Sequence, residues 1–354
     1  MYHMVVYDEY NRRNAMRIER RRLRDAQDPF EMPDEQFRAV YRFTRECAFK
    51  LIEEMSPHMA KGQRKTFVPI PLKICTALHF FATGSFQRDV GQDFTAALSR
   101  TMVSRSVKEV STVLQNKLMP KWIQFPTEEE YEAIKLRFFE ETGFPGVIGA
   151  VDCTHIRIKR PDAEIESAYL NRKSYHSKNV QLICDYQLKI LGGFAWFGGA
   201  SHDAYIWEAS RINALLEQRY ESNGRNHDSW LLGDSGYPLR PWIMTPYRSA
   251  TSRDEINYNK IHSKARNCIE RLNGNIKSVF RCLQRTLFSS PQDAGTIINA
   301  VCVLHNFRKG HGISDDSIFD IPINIDEDIR DPEEPNVFLR EAVNIRNRIK
   351  RSIS

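Results

Sequence analysis

The sequence predicts an α/β chain in which an all-α region precedes a mixed sheet with helices. Two changes of periodicity and one of composition predict it. Apolar residues recur at helical spacing up to about residue 142, alternate with period two after Pro145, and return to helical spacing from about residue 203. From about residue 314 to 336 the chain turns acidic and proline-containing, a composition that does not build a packed core.

The elements follow in order. Residues 1–66 form an N-terminal helical and basic segment: Arg20, Arg21, Arg22 and Arg24 read either as an import-type cluster or as the solvated face of a helix, and residues 34–59 carry Phe37, Val40, Tyr41, Phe49, Leu51 and Ile52 at helical spacing. Residues 67–118 read as three helices with short connections. Pro71 opens the first and Gly84 stops it, a second runs over 85–94, and Ser99 is the N-cap of the third. In the third helix Met102, Val103, Val107 and Val110 are predicted to be buried. That turns Thr101, Ser104, Arg105 and Lys108 outward, the hydroxyls and cations with which a helix-turn-helix recognition helix meets phosphates and base edges. A plain helical subdomain with a soluble face has the same spacing. Residues 119–144 are a linker and helix opened by a Thr127/Glu130 capping box.

Residues 145–310 hold the sheet. Strands are predicted at 146–159, 179–185 and 188–197, the last two as a hairpin, then a helix over 203–219 and a buried strand at 229–232. A long amphipathic helix to about 283 and another over 291–308 complete it. Residues 311–354 are expected to be an acidic mobile tail.

Composition narrows the function classes. Hydrophobic residues are 41% and charged residues 27% of 354, and the mean hydropathy is −0.50. Those values suit a protein with a real core, and no apolar run approaches the ~20 residues of a membrane span. Seven cysteines, scattered and never spaced C-x-x-C, argue against a disulfide framework or a zinc ribbon and for a reducing compartment. Residues 309–354 hold 7 basic and 10 acidic residues, so the net charge of +6 becomes +9 over residues 1–308, compatible with a polyanionic partner.

Three acids stand out. Asp152 lies on the even-numbered face of its strand with Ile148, Ala150, Thr154 and Ile156, an apolar setting where a carboxylate needs a cation, a metal or a hydrogen-bonding partner. Asp234 sits in Gly233-Asp234-Ser235-Gly236 at the end of a strand, where open α/β sheets place their sites, although a turn aspartate looks the same. Glu270 lies off the apolar stripe of its helix, beside Arg266, Asn273 and Lys277; alone it reads as a surface glutamate. Together, two acids at strands and one on the following helix are the oxygen ligands that a pair of magnesium ions uses.

The stretches V-D-C-T-H-I, G-D-S-G-Y-P and N-C-I-E-R-L-N-G-N-I-K-S-V-F-R-C-L, with Tyr169-Leu170-Asn171-Arg172-Lys173 and Val303-Leu304-His305-Asn306, resemble the D-D-E motifs of the PIF/Harbinger transposases, most closely the animal Harbinger transposase-derived nucleases. The resemblance runs over about residues 71–308. It implies an RNase H-like mixed-sheet catalytic core preceded by a helix-turn-helix, with Asp152, Asp234 and Glu270 as catalytic metal ligands, and magnesium, or manganese, as cofactor. It also implies metal-dependent phosphodiester cleavage of DNA, a Myb/SANT-like protein partner and a nuclear location with room for a cytoplasmic share. Membrane association is not expected; oligomerisation stays open. In this scheme Asp152 bridges the ions while Arg266 and Lys277 meet DNA phosphates. A catalytically silent DNA-associated scaffold, working through the partner, is the alternative. The His202-Asp203 pair resembles a further motif of the family; nothing in the sequence makes Asp203 a ligand, and it would serve equally as a cap of the helix that starts there. Cys302 and His305 have metal-pair spacing on an apolar helix and are read as packed.

Overall fold

A computed structural model of the chain describes residues 2–25, 28–62, 67–85, 98–223, 228–313 and 337–353. The helix expected at 85–94 and the acidic stretch 314–336 fall almost wholly outside those residues.

The N-terminal half is helical: α1 (Tyr2–Asp25), α2 (Asp34–Tyr41), α3 (Arg45–Met55), α4 (Ile70–Thr83) and α5 (Arg100–Val113). Arg21 and Arg22 lie on α1, with Val6, Tyr7 and Tyr10 exposed on the same helix. Ser99 caps α5 by accepting from the Met102 amide at 3.3 Å. Gly84, at φ 60°, ends α4 in the left-handed region, where a Cβ would meet the Arg281 carbonyl at 2.8 Å. Lys73 on α4 joins α5 through Glu109 at 2.7 Å. A π-helical turn (Leu114–Leu118) and α6 (Met119–Trp122) lead to α7 (Tyr131–Thr142). The Thr127 amide donates to Glu130 Oε2 at 2.8 Å, as the capping box requires.

The sheet contains β1 (Val147–Arg157), β2 (Ser177–Cys184), β3 (Ile190–Gly198), β4 (Trp230–Leu232) and β5 (Ile243–Met244), in the order β3-β2-β1-β4-β5. β1, β2 and β3 are antiparallel neighbours, while β4 and β5 run parallel to β1. β5 was not anticipated, because two residues carry no periodicity. The β2–β3 turn closes through Asp185, whose Oδ1 accepts from the Lys189 amide at 2.8 Å, with Leu188 at φ 66°.

The alternation expected along β1 fails at one point. Its register against β4 shifts between Val147 and Gly149, so Ile148 packs with Val151, Leu231 and Trp207, while Ala150 and Ile156 face the opposite cluster. The shift inverts which side chains share a face upstream of it. From Ala150 onward the even positions share a face as predicted.

Helices α8 (Asp203–Glu208) and α9 (Arg211–Asn223) cover one face of the sheet; α10 (Arg253–Val279) and α11 (Pro291–Gly310) cover the other. α11 also shields the edge strand. Asn306 Oδ1 accepts from the Ile190 amide at 2.9 Å and Asn299 Oδ1 from the Ala195 amide at 3.2 Å, satisfying ladder groups that would otherwise template another strand. Asn299 and Asn306 also donate to Gln115 and to the Trp122 carbonyl, and the core cluster is continuous from Phe37 to Phe307. Helices α2 to α5 and the sheet therefore share one core.

Part of the segment expected to be an acidic tail is folded. α12 (Leu339–Ser352) buries Ala342 and Ile349, and it carries Arg340, Arg346, Arg348, Lys350 and Arg351 against Glu341 alone. The acids that coloured the composition lie upstream, between residues 315 and 334.

Candidate active site

β1 and β4 set the centre. Ala150 pairs with Leu232, and two residues further along stand Asp152 on β1 and Asp234 just past the end of β4, the two strands running about 4.8 Å apart. Asp234 Oδ1 accepts from the Gly236 amide at 2.9 Å, so the turn that closes β4 also orients the carboxylate. At Gly233 a Cβ would come within 2.9 Å of the Tyr237 ring, which is why glycine precedes Asp234.

α10 supplies the other wall. Arg266, Glu270, Asn273 and Lys277 are spaced i, i+4, i+7 and i+11, which aligns them along one flank of a helix. Asn273 Nδ2 donates to Asp152 Oδ2 at 3.0 Å, and Lys277 Nζ to Thr154 Oγ1 at 2.6 Å. The Arg266 guanidinium pairs with Glu270 on its own helix and lies 3.8 Å from Asp152 Oδ1 across the gap. Asp152, Arg266 and Glu270 are nearly enclosed, with side chains 19%, 13% and 19% exposed.

Electrostatics show how tightly these charges interact. Burial pushes the Asp152 carboxyl up to about 7; Arg266 opposes the rise, while Asp234 and Asp203 add to it. Burial would lower the Arg266 pKa, yet Asp152, Glu270 and Asp234 outweigh it and hold the guanidinium above its usual value. All three acids singled out in the sequence thus act on one guanidinium.

The side chains around Glu270 are arranged differently from the sequence expectation. Arg266 is turned to the acids, pairing with Glu270 and approaching Asp152, because a carboxylate cluster without a compensating cation is costly. Lys277 turns to the strand rather than to solvent. The acids do not form a ready-made ion cage either: among the described residues no three His, Cys, Asp or Glu side chains are grouped closely enough to hold a metal. Asp203 is the residue that sequence reasoning undervalued. It stands in the first turn of α8 without acting as its N-cap, which is His202. Its Oδ1 accepts from Asn179 at 2.9 Å, and its charge reaches Asp152, Cys153 and Tyr237. The His202-Asp203 dipeptide was the available signal, and its likeness to a helix start hid it.

On α5, Thr101, Ser104, Arg105 and Lys108 are exposed and Val103, Val107 and Val110 buried. Lys108 pairs with Asp293 of α11 at 2.9 Å. Cys302 and His305 are buried, His305 Nε2 donating to the Leu188 carbonyl at 2.7 Å. All seven cysteines are free thiols. No helix among the described residues is long and apolar enough to cross a membrane.

A family model described as DDE superfamily endonuclease matches residues 151–306, a stretch containing Asp152, Asp203, Asp234 and Glu270. The chain is 34% identical over 288 residues to the Homo sapiens protein named "Putative nuclease HARBI1", covering 80% of each chain. It belongs to the Harbinger transposase-derived nuclease family. The Xenopus laevis relative of the same name is 31% identical over 301 residues, 84% of this chain and 82% of that one. The Arabidopsis thaliana "Protein ALP1-like" is 24% identical over 268 residues, 73% and 64% of the two chains. No solved structure matches the chain.

Proposed function

We propose that this Harbinger-type protein is a divalent-metal-dependent DNA endonuclease in which Asp152, Asp234 and Glu270 hold the ions, with Asp203 beside them. The observation that carries the proposal is that Arg266 lies between Asp152 and Glu270, with Asp234 two residues past Leu232 on the strand beside β1, all within the matched endonuclease region. The sheet, three antiparallel strands followed by two parallel ones with acids on the first and after the fourth, supports an RNase H-like reading of the core.

The donor set fits magnesium or manganese. Carboxylate oxygens are the ligands such hard cations take. Asn273 adds a buried Oδ1 that has no hydrogen-bond partner, next to Asp152. When bound, the ions supply Lewis-acid stabilisation of the phosphoryl group and an activated water. The chain's own residues prepare that chemistry. Asn273 Nδ2 and the Gly236 amide fix the carboxylates of Asp152 and Asp234, and Lys277 holds Thr154 on the same strand face. Arg266 compensates the acids' charge, and a bound ion would compete with it for the same carboxylates.

The silent-scaffold alternative rests on that same guanidinium, since an ion pair that never opens would leave the fold intact and the reaction absent. A nicking assay on supercoiled DNA with magnesium or manganese separates the two. The wild type nicks and Asp152→Asn does not; a wild type without activity under both ions removes the endonuclease reading. A nuclear location and a Myb/SANT-like partner belong to the same proposal. Full nuclear accumulation of the protein expressed without such a partner would count against the latter.

A further inference from the structure

α10 carries a second row of polar residues. Lys260, Lys264, Asn267 and Arg271 repeat the i, i+4, i+7, i+11 spacing of the site flank, shifted six residues toward the N-terminus, which turns them about 120° away around the helix. Arg253 falls in the same sector. All five are exposed. From Arg253 to Arg271 the row is about 27 Å long. Arg271 is steadied over the Tyr186 ring at 5.2 Å.

α12, docked beside α10, continues the charge. Its inner side is pinned: Tyr247 Oη donates to Asn347 Oδ1 at 2.8 Å, Arg346 lies over the Tyr247 ring at 4.1 Å, Lys350 is 3.6 Å from Glu255, and Asn257 Nδ2 donates to the Ile353 carbonyl at 2.7 Å. Its outer side bears Arg340, Arg348 and Arg351, all exposed, within an arc of about 80° that is centred opposite buried Ala342 and Ile349. Two of the five cations on α12 are thus used in docking, and three are presented outward.

We propose that the outer rows of α10 and α12 form one track for the backbone of duplex DNA, alongside the carboxylate site. The inference rests on the endonuclease reading for its choice of polyanion. Recognition of phosphates rather than bases follows from the residues. Neither outer row contains an aromatic side chain, which a platform for unpaired bases would need, and duplex DNA offers one phosphate charge per about 1.7 Å of axis. The track also gives α12 a role that its position past the acidic segment conceals.

The test measures binding of a fluorescein-labelled mixed-sequence duplex, and of the same strand unpaired, by the full-length chain across a salt series. The Asp152→Asn background removes cleavage. The triple variant Arg340→Gln/Arg348→Gln/Arg351→Gln and the double variant Lys260→Gln/Lys264→Gln should each bind duplex more weakly, by tenfold or more at low salt. Each lost phosphate contact should shallow the log-log salt slope by about 0.9. Melting temperatures should stay near the parent's, because these are surface positions. Parent-like slopes and affinities in both folded variants would overturn the track, as would tighter parent binding to the single strand than to the duplex. Nicking by the wild type, measured separately, tells that failure apart from failure of the endonuclease reading.

Discussion

The two flanks of α10 have the same spacing and opposite fates. On one flank Arg266, Asn273 and Lys277 reach β1 and Glu270 pairs with Arg266; on the other Lys260, Lys264, Asn267 and Arg271 face solvent. Sequence neighbourhood suggested that the cations beside Glu270 would meet DNA. In the structure Arg266 is held by the enclosed carboxylates and Lys277 by Thr154, while the cations turned away from the acids are the exposed ones. Charge beside an acid in the sequence is therefore poor evidence of exposure.

The largest expected effect breaks one flank and spares the other. Asp234→Asn or Glu270→Gln should cut nicking by at least about a hundredfold, since metal stabilisation of the reacting phosphate amounts to several kcal/mol and each 1.4 kcal/mol is about tenfold. Duplex affinity should be unchanged, because the exposed row is untouched. Loss of affinity in parallel with nicking would mean that the two flanks are not separable.

Arg266→Gln sharpens the comparison next. Breaking a largely buried ion pair costs about 3–5 kcal/mol, so the ion-free variant should melt well below the wild type. The deficit should shrink on adding magnesium, which would replace the missing positive charge, and the magnesium-induced rise in melting temperature should exceed that of the wild type. Equal rises in the two proteins would show that Arg266 and the ion do not compete for the same acids.

Much of this was legible in the sequence, for reasons that also explain what was not. Period-two alternation located the three long strands, and the off-stripe position of Glu270 pointed at the flank that meets Asp152. Side-chain direction within one element is fixed by local geometry. What failed depended on contacts between distant elements: Arg266 reaching across to β1, Asp203 arriving from α8, and the register shift against β4 that displaces Ile148. α12 was hidden by averaging, since nine acids upstream masked a helix of five cations.

His262 tests the shared core of α10 rather than either flank. It is buried, its Nε2 donates to the Met244 carbonyl at 3.1 Å, and rings of Phe144 and Tyr258 lie 5.9 Å away. Burial lowers its pKa from 6.5 to about 3, with Arg266 and Arg346 acting in the same direction. Below pH 6.5 the unfolded chain takes up a proton that the folded chain refuses, so stability is lost as pH falls toward 3, by at most about 1.4 kcal/mol per unit. His262→Phe should flatten the acid limb of the melting curve by one proton. The Met244 carbonyl keeps the Gly233 amide as a donor. An acid limb as steep as the wild type's would place the sensitivity elsewhere.

The smallest effect belongs to the exposed face of α5, which competes with the α10 and α12 rows as a DNA contact. Thr101, Ser104, Arg105 and Lys108 are presented as a recognition helix requires, but Lys108 already has Asp293 at 2.9 Å. That pair is exposed and contributes only about 0–1 kcal/mol, so it costs Lys108 a little availability without abolishing it. If α5 touches phosphates, Arg105→Gln should shallow the salt slope by nearly the full 0.9 of one contact, and Lys108→Gln by less. Asp293→Asn, by releasing Lys108, should steepen it. A slope that ignores all three changes while responding to Arg348→Gln would confine phosphate contact to the C-terminal helices and leave α5 as a packed structural helix.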